Sequence, residues 1–207
     1  MAIVVVGGHS RNIGKTSVVA ELIAAMPERR WTAIKITQYG HGVCSANGAP
    51  CDCVVADHSL ALSEEHDAAS GTDTSRFLAA GAERVWWLRT QHGELAAAMP
   101  RLRALLAAAE GDVIVESNSV LRFLQPDVFV SVLDPAVADF KPSALRYLDR
   151  ADAIVLPEGA DVRGAWEQVA PSLLRRARAF ACVPGAYASA GLKAFVAERL
   201  SVARART

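Results

Sequence analysis

Ala2-Ile3-Val4-Val5-Val6-Gly7-Gly8-His9-Ser10-Arg11-Asn12-Ile13-Gly14-Lys15-Thr16-Ser17 begins one residue into the chain and decides how the rest is read. Its first five residues are apolar without interruption and mostly valine, the pattern of a strand buried on both faces in a parallel sheet. Residues 14–25 continue as an apolar, alanine-containing stretch of helical character. Between strand and helix sits a loop whose chemistry suits a polyphosphate. Backbone N–H groups at the head of a helix face an anion, a lysine reaches the outer phosphate oxygens, and a hydroxyl ligates Mg²⁺. Gly14 lets the backbone come close, Lys15 brings the charge and Thr16 the metal-ligating oxygen. The expected contact segment is Gly8, His9, Ser10, Arg11, Asn12, Ile13, Gly14, Lys15, Thr16 and Ser17, with Mg²⁺ and ATP or GTP as the ligands.

Outward from this loop, β-branched runs alternate with alanine- and leucine-rich stretches. Strands are expected at 31–36, 83–89, 112–116, 127–133, 153–156 and 180–183, and helices at 73–82, 94–110, 143–150, 164–178 and 189–204. Repeated β-α alternation predicts a three-layer, doubly wound α/β fold with a mostly parallel sheet and helices on both faces. Residues 1–207 read as one domain. Residues 37–72 break the pattern: they are polar, glycine-containing and too long for an ordinary connection, which marks a functional insert.

Lys35 ends the second expected strand and Glu116 ends the strand 112–116. Ligands of open α/β sheets lie beyond the carboxyl ends of the strands, so both residues fall on the side of the phosphate loop. A carboxylate there completes a Mg²⁺ shell, and a second lysine neutralises charge on a transferring phosphoryl group. Lys15, Lys35 and Glu116 form the expected catalytic set, with Thr16 and Glu116 as Mg²⁺ ligands. Asp73 reads as the N-cap of its helix.

The chain carries 22 basic and 22 acidic residues, so bulk charge makes no case for nucleic acid or an anionic membrane as partner. No apolar run reaches the ~20 residues that span a bilayer. The first residues lack the basic segment of a signal peptide. With four cysteines and no export signal, a reducing compartment, the cytoplasm, is expected.

Five residues separate Gly8 from Gly14, one more than the common phosphate-loop pattern, which would place glycine where His9 stands. The spacing resembles dethiobiotin synthetase and the cobyrinic and cobyric acid amide synthases, whose loops read G-x5-G-K-[ST]. Lys35, in Ile34-Lys35-Ile36-Thr37-Gln38-Tyr39-Gly40, looks like the lysine of the synthetase's K-P-x-x-x-G segment. Glu116 looks like the Mg²⁺-binding glutamate of its V-E-G segment, although Ser117-Asn118-Ser119 replaces the glycines. Gly71-Thr72-Asp73-Thr74-Ser75-Arg76-Phe77-Leu78-Ala79-Ala80-Gly81-Ala82 is similar to the G-x-D-S-x-x-x-R-x-A-G-A segment of the molybdopterin-guanine dinucleotide biosynthesis protein B family, with Arg76 two places early. These resemblances imply a P-loop NTPase of the SIMIBI class. They also imply a homodimer and a protein partner in cofactor biosynthesis.

Cys44, Cys51 and Cys53 stand within ten positions in the insert, close to His41. Three thiolates and an imidazole suit Zn²⁺, and three thiolates with a fourth ligand from Cys182, a partner chain or a substrate suit an iron–sulfur cluster. Cys182, in an apolar strand, reads as core. Three functions stay open: a nucleotide-hydrolysing factor in molybdenum-cofactor maturation, an ATP-dependent ligase that activates a carboxylate, and a metal or iron–sulfur chaperone or redox switch under nucleotide control. The insert makes one prediction on its own. Anaerobically purified protein should contain stoichiometric Zn or Fe by elemental analysis, and absence of both would remove the metal reading.

Overall fold

The valine run forms β1 (Ile3–Gly8), which pairs in parallel with β5 (Val113–Glu116) on one side and β6 (Val128–Val132) on the other. The computed structural model describes residues 1–39 and 60–205. Around β1 an eight-stranded sheet runs in the order β3-β4-β2-β5-β1-β6-β7-β8. The further strands are β2 (Thr32–Tyr39), β3 (Leu60–Glu64), β4 (Arg84–Gln91), β7 (Ala153–Pro157) and β8 (Arg178–Cys182). All pairings are parallel except that of β3, which lies antiparallel on the outer edge of β4.

Alternation along β1 divides the core. Val4 and Val6 face one layer, where α1 (Lys15–Ala25), α2 (Asp73–Ala79) and α6 (Ala190–Arg204) bury Leu22, Phe77 and Val196. Val5 faces the other, where α3 (Leu95–Ala107) and α4 (Pro142–Leu145) pack with Leu102, Phe140 and Leu148. Right-handed crossovers explain the division, because connections running in opposite directions along the sheet place their helices on opposite faces. The three-layer, doubly wound architecture expected from the sequence is therefore observed. Among the described residues no helix is long and apolar enough to cross a membrane.

Three expectations need correction. Part of 37–72 is regular sheet: β2 continues through Thr37 to Tyr39, and β3 covers the edge of β4, with Glu64 paired to Arg84 at 2.8 Å. The helix expected at 164–178 shrinks to α5 (Pro171–Leu174). Gly164 turns left-handed at φ 70°, and the buried Trp166 is tied by its indole N–H to the Val137 carbonyl, so a helix starts only at Pro171. The helix expected at 143–150 is α4 followed by a separate 3₁₀ turn at Leu148–Arg150.

At the opposite end of the sheet from the phosphate loop, Asp112 is fully buried. Its carboxylate accepts from the Ala2 N–H at 2.8 Å and pairs with Arg29 at 3.4 Å and Arg204 at 3.1 Å, joining β1, β5, the segment after α1 and the end of α6. Gly111 beside it leaves no room for a side chain, since a Cβ would lie 2.0 Å from the Arg30 carbonyl oxygen. Removing one member of a buried ion pair strands the others, so Asp112→Ala should lower the unfolding free energy by about 3 kcal/mol. Urea titration with an unchanged slope checks this, and an unaltered midpoint would show that the carboxylate does not hold the corner.

Candidate polyphosphate-binding site

The loop between β1 and α1 turns through two left-handed residues, Asn12 at φ 56° and Gly14 at φ 94°. Alternation of hand along a loop aims successive N–H groups toward one concavity, and the first N–H groups of α1 have no partner within the helix. Gly14 is required twice. Its backbone angle is costly for any residue with a side chain, and a Cβ there would lie 2.4 Å from the Tyr187 ring. Tyr187 is fixed from below, because the Glu21 carboxylate of α1 accepts the N–H groups of Tyr187 and Ala188 at 2.9 and 2.8 Å.

His9 accounts for the longer loop. Its side chain turns inward, fully buried between Phe140 and Trp166 at ring distances of 5.0 and 4.9 Å. Nδ1 donates to the Asp139 carbonyl at 2.7 Å, and Nε2 accepts from the Asp134 N–H at 3.0 Å, which requires a neutral ring. Burial holds its pKa below the ordinary histidine value, in agreement. Its own N–H donates to Val132 and its carbonyl accepts from Lys141. The ring and both main-chain groups of His9 are thus committed to the fold. Asn118 grips the other side of the loop's start, accepting from the Gly8 N–H at 2.9 Å and donating to its carbonyl at 2.8 Å.

Register brings the charged residues together. Lys35 on β2 is the direct partner of Glu116 on β5, which is level with Val6 on β1. Glu116, only 6% exposed, accepts from the Thr16 hydroxyl at 2.9 Å and from Lys35 Nζ at 3.1 Å. Lys35 also donates to Asp73 at 2.6 Å. Asp73 is therefore not the cap: Thr72 caps α2, its hydroxyl accepting from the Ser75 N–H, and Asp73 is the first helical residue, pointing its carboxylate at the lysine. Arg76, one turn on, donates to the Ser17 hydroxyl at 2.9 Å.

These groups border a cleft of about 840 Å³. Among the described residues its charged walls are Arg11, Lys15, Lys35, Arg76 and Lys141 against Asp73 and Glu116, a local cationic excess in a chain of zero net charge. Thr16, Asp73 and Glu116 supply hard oxygen donors on one wall, the ligand type that Mg²⁺ takes. Sequence reasoning placed Lys15, Thr16, Lys35 and Glu116 here but missed Asn118, Lys141 and Tyr187. The residues Cys44, Cys51, Cys53 and His41 lie outside the described residues. Among the described residues no group of three or more His, Cys, Asp or Glu is arranged to hold a metal ion. Pro157–Gly159 is a turn closed by the Ala160 N–H and does not line the cleft.

A solved structure shares this architecture. HypB from Helicobacter pylori, in complex with nickel, aligns over 95% of this chain and 86% of its own, with 16% identity and a TM-score of 0.51. The fold is that of the P-loop NTPases. The "apo" form of LpxK from Aquifex aeolicus in complex with ATP aligns over 75% of this chain and 48% of its own at 19% identity, with a TM-score of 0.42. The Zn(II)-bound YjiA GTPase from E. coli aligns over 93% and 60% at 16% identity, with a TM-score of 0.43. No protein-family model and no curated protein matches the sequence.

Lys15 is the electrostatic pivot of the P-loop. Burial lowers its pKa from 10.5 to about 8; Glu116 pulls it upward, while Lys141 and Lys35 press it down. A depressed lysine pKa means that the anion-free fold carries a cost for the ammonium form below about pH 8, a cost that vanishes as the pH rises past the unfolded value. A polyanion favours the ammonium, so binding above about pH 8 must take up a proton. Triphosphate affinity should therefore fall as the pH rises beyond about 8, with binding heats that depend on buffer ionisation. Lys15→Arg, which does not titrate in this range, should reduce the proton uptake. Calorimetry in two buffers decides, and affinity independent of pH from neutrality to pH 9.5 would contradict the assignment.

Proposed function

We propose that this chain binds a Mg²⁺–nucleoside triphosphate in the P-loop cleft and cleaves its β–γ bond slowly. The convergence of Thr16 and Lys35 on Glu116, with Asp73 on the other side of Lys35 and Lys15 beside them, carries the reading. Lys15 and the loop N–H groups would hold the β and γ oxygens, where fixed donors count most as charge builds on the bridging oxygen. Lys35, tethered by two carboxylates, would stand on the γ side, with Arg76 held by Ser17 on the cleft wall. Mg²⁺, held by Thr16 and Glu116 with Asp73 beside them, would supply charge stabilisation across the phosphates. In hydrolysis the water oxygen bonds to the γ phosphorus, the β–γ bridging bond breaks, the proton passes to solvent and the nucleoside diphosphate leaves. No N-K-x-D segment marks the base as guanine, so ATP and GTP both fit the reading.

For the biological role we favour a factor in molybdenum-cofactor maturation, acting as a homodimer with a protein partner. Its support is the resemblance of residues 71–82 to the dinucleotide biosynthesis protein B segment, together with the contact of Asp73 from that segment with Lys35. The ligase reading rests on the loop spacing and on Lys35. A smaller hollow beside the cleft, lined by Arg122 and Arg146, is the observation in favour of transfer to an acceptor.

Lys15→Ala should weaken binding of both ATP and GTP at least a hundredfold by calorimetry. Glu116→Gln should keep nucleotide binding, lose its Mg²⁺ dependence and slow phosphate release by about 10²–10³. Wild-type affinity in the first variant would eliminate the site.

A further inference from the structure

Beyond Gln38, Ser119, Pro142 and Ser143 the cleft continues into a second hollow of about 200 Å³ that shares those four residues as its sill. The Ser119 hydroxyl donates to the Gln38 amide oxygen at 3.4 Å, so the sill is polar and closed on itself. Two arginines, Arg122 and Arg146, line the far side. Among the described residues no carboxylate lines the hollow and neither guanidinium belongs to an ion pair. Arg122 rests near the Phe123 ring, its guanidinium 5.4 Å from the centroid.

Both arginines ride on elements that begin in the main cleft. Arg122 ends the 3₁₀ turn Ser119–Arg122, which follows Glu116 and Asn118. Arg146 caps the C-terminal end of α4, whose N-cap residue is Lys141. Cations therefore stand on both sides of the sill, Lys15, Lys35 and Lys141 in the cleft and the two guanidiniums in the hollow. Burial together with the neighbouring Arg11 holds the Lys141 pKa below the ordinary lysine value, as befits a cation awaiting an anion. An anionic molecule set beside a triphosphate is repelled unless cations stand between and behind them. Paired guanidiniums are the side chains best suited to hold a carboxylate or phosphate group.

We propose that this hollow anchors the carboxylate or phosphate of a small second substrate, which reaches over the Gln38–Ser119 sill toward the γ-phosphoryl group. Its volume corresponds to about seven waters, enough for one oxyanion and a short carbon chain. The proposal rests on the nucleotide reading. In the transfer step a hydroxyl or carboxylate oxygen of that substrate bonds to the γ phosphorus, a hydroxyl's proton passing to solvent, while the bond to the β–γ bridging oxygen breaks and the nucleoside diphosphate leaves with that oxygen's electron pair.

The test follows the arginine Nε–H resonances of the full-length protein, free and saturated with a non-hydrolysable Mg²⁺–ATP or Mg²⁺–GTP analogue. Succinate and glycerol phosphate are titrated as probes, with succinamide and glycerol as neutral controls. At least one anion should shift Arg122 and Arg146 saturably and bind together with the nucleotide, while the neutral controls fail. Its Kd should rise at least tenfold in Arg122→Ala and in Arg146→Ala, with nucleotide affinity unchanged within about twofold. The two probes also separate a carboxylate site from a phosphate site. Equal binding of the neutral controls, unchanged anion affinity in both variants, or displacement of the anion by nucleotide would each overturn the proposal. Nucleotide binding with no anion response would remove this inference alone. An anion response in protein that binds no nucleotide would remove the nucleotide reading, and the second substrate with it.

Discussion

A nearly buried carboxylate at the centre of a sheet must be matched, and Glu116 is matched from two directions. The Thr16 hydroxyl reaches it from the head of α1 and the Lys35 ammonium from the neighbouring strand. Neither contact would exist if β5 did not lie between β2 and β1, because only that order puts residue 116 level with residue 35 on one side and residue 6 on the other. The cleft is thus a consequence of strand order. A chain crossing from β1 to β2, on to β4 and back to β5 opens a crevice at the carboxyl ends beside β1, and the polar residues at those ends face one another.

The phosphate loop itself depends on contacts facing away from the cleft. His9 fills the position where the shorter loop pattern has glycine, and a side chain pointing into the concavity there would obstruct it. It is turned into the protein and saturated: both ring nitrogens, its N–H and its carbonyl are all bonded. Asn118 holds Gly8 by both of that residue's backbone groups. The added residue thus serves as an anchor to the segment joining β6 and α4, the same segment that brings Lys141 to the cleft.

Much of this was legible in the sequence because it is local. A valine run buried on both faces, a glycine before a lysine and a hydroxyl, and charged residues ending apolar runs all follow from short-range pattern. What was not legible depends on distant packing. Asp73 looked like a cap because capping residues and site residues share chemistry, and only the fold shows Thr72 in that role with Asp73 against Lys35, 38 positions away. Tyr187 reaches Gly14 through a Glu21 contact that spans 166 residues, which no periodicity encodes. The segment 164–178 has helical composition, yet Gly164 and the Trp166 anchor hold most of it in turns. Tertiary contacts there override a weak propensity.

Cations gathered in one partly buried place oppose folding, as the lowered pKa of Lys15 and Lys141 records. The molecule could have dispersed that charge, since it is neutral as a whole. Instead Arg11, Lys15, Lys35, Arg76 and Lys141 border one cleft, and among the described residues only Glu116 and Asp73 stand with them as carboxylates. Those two carboxylates are too few to neutralise the cluster, and both are engaged by Lys35, leaving Lys15 and Lys141 without a carboxylate partner among the described residues. Such an arrangement is destabilising alone and favourable around a polyanion, which is why we read the cleft as built for a phosphate chain. The same reasoning extends over the sill to Arg122 and Arg146, where positive charge again lines a concave surface and no carboxylate among the described residues balances it.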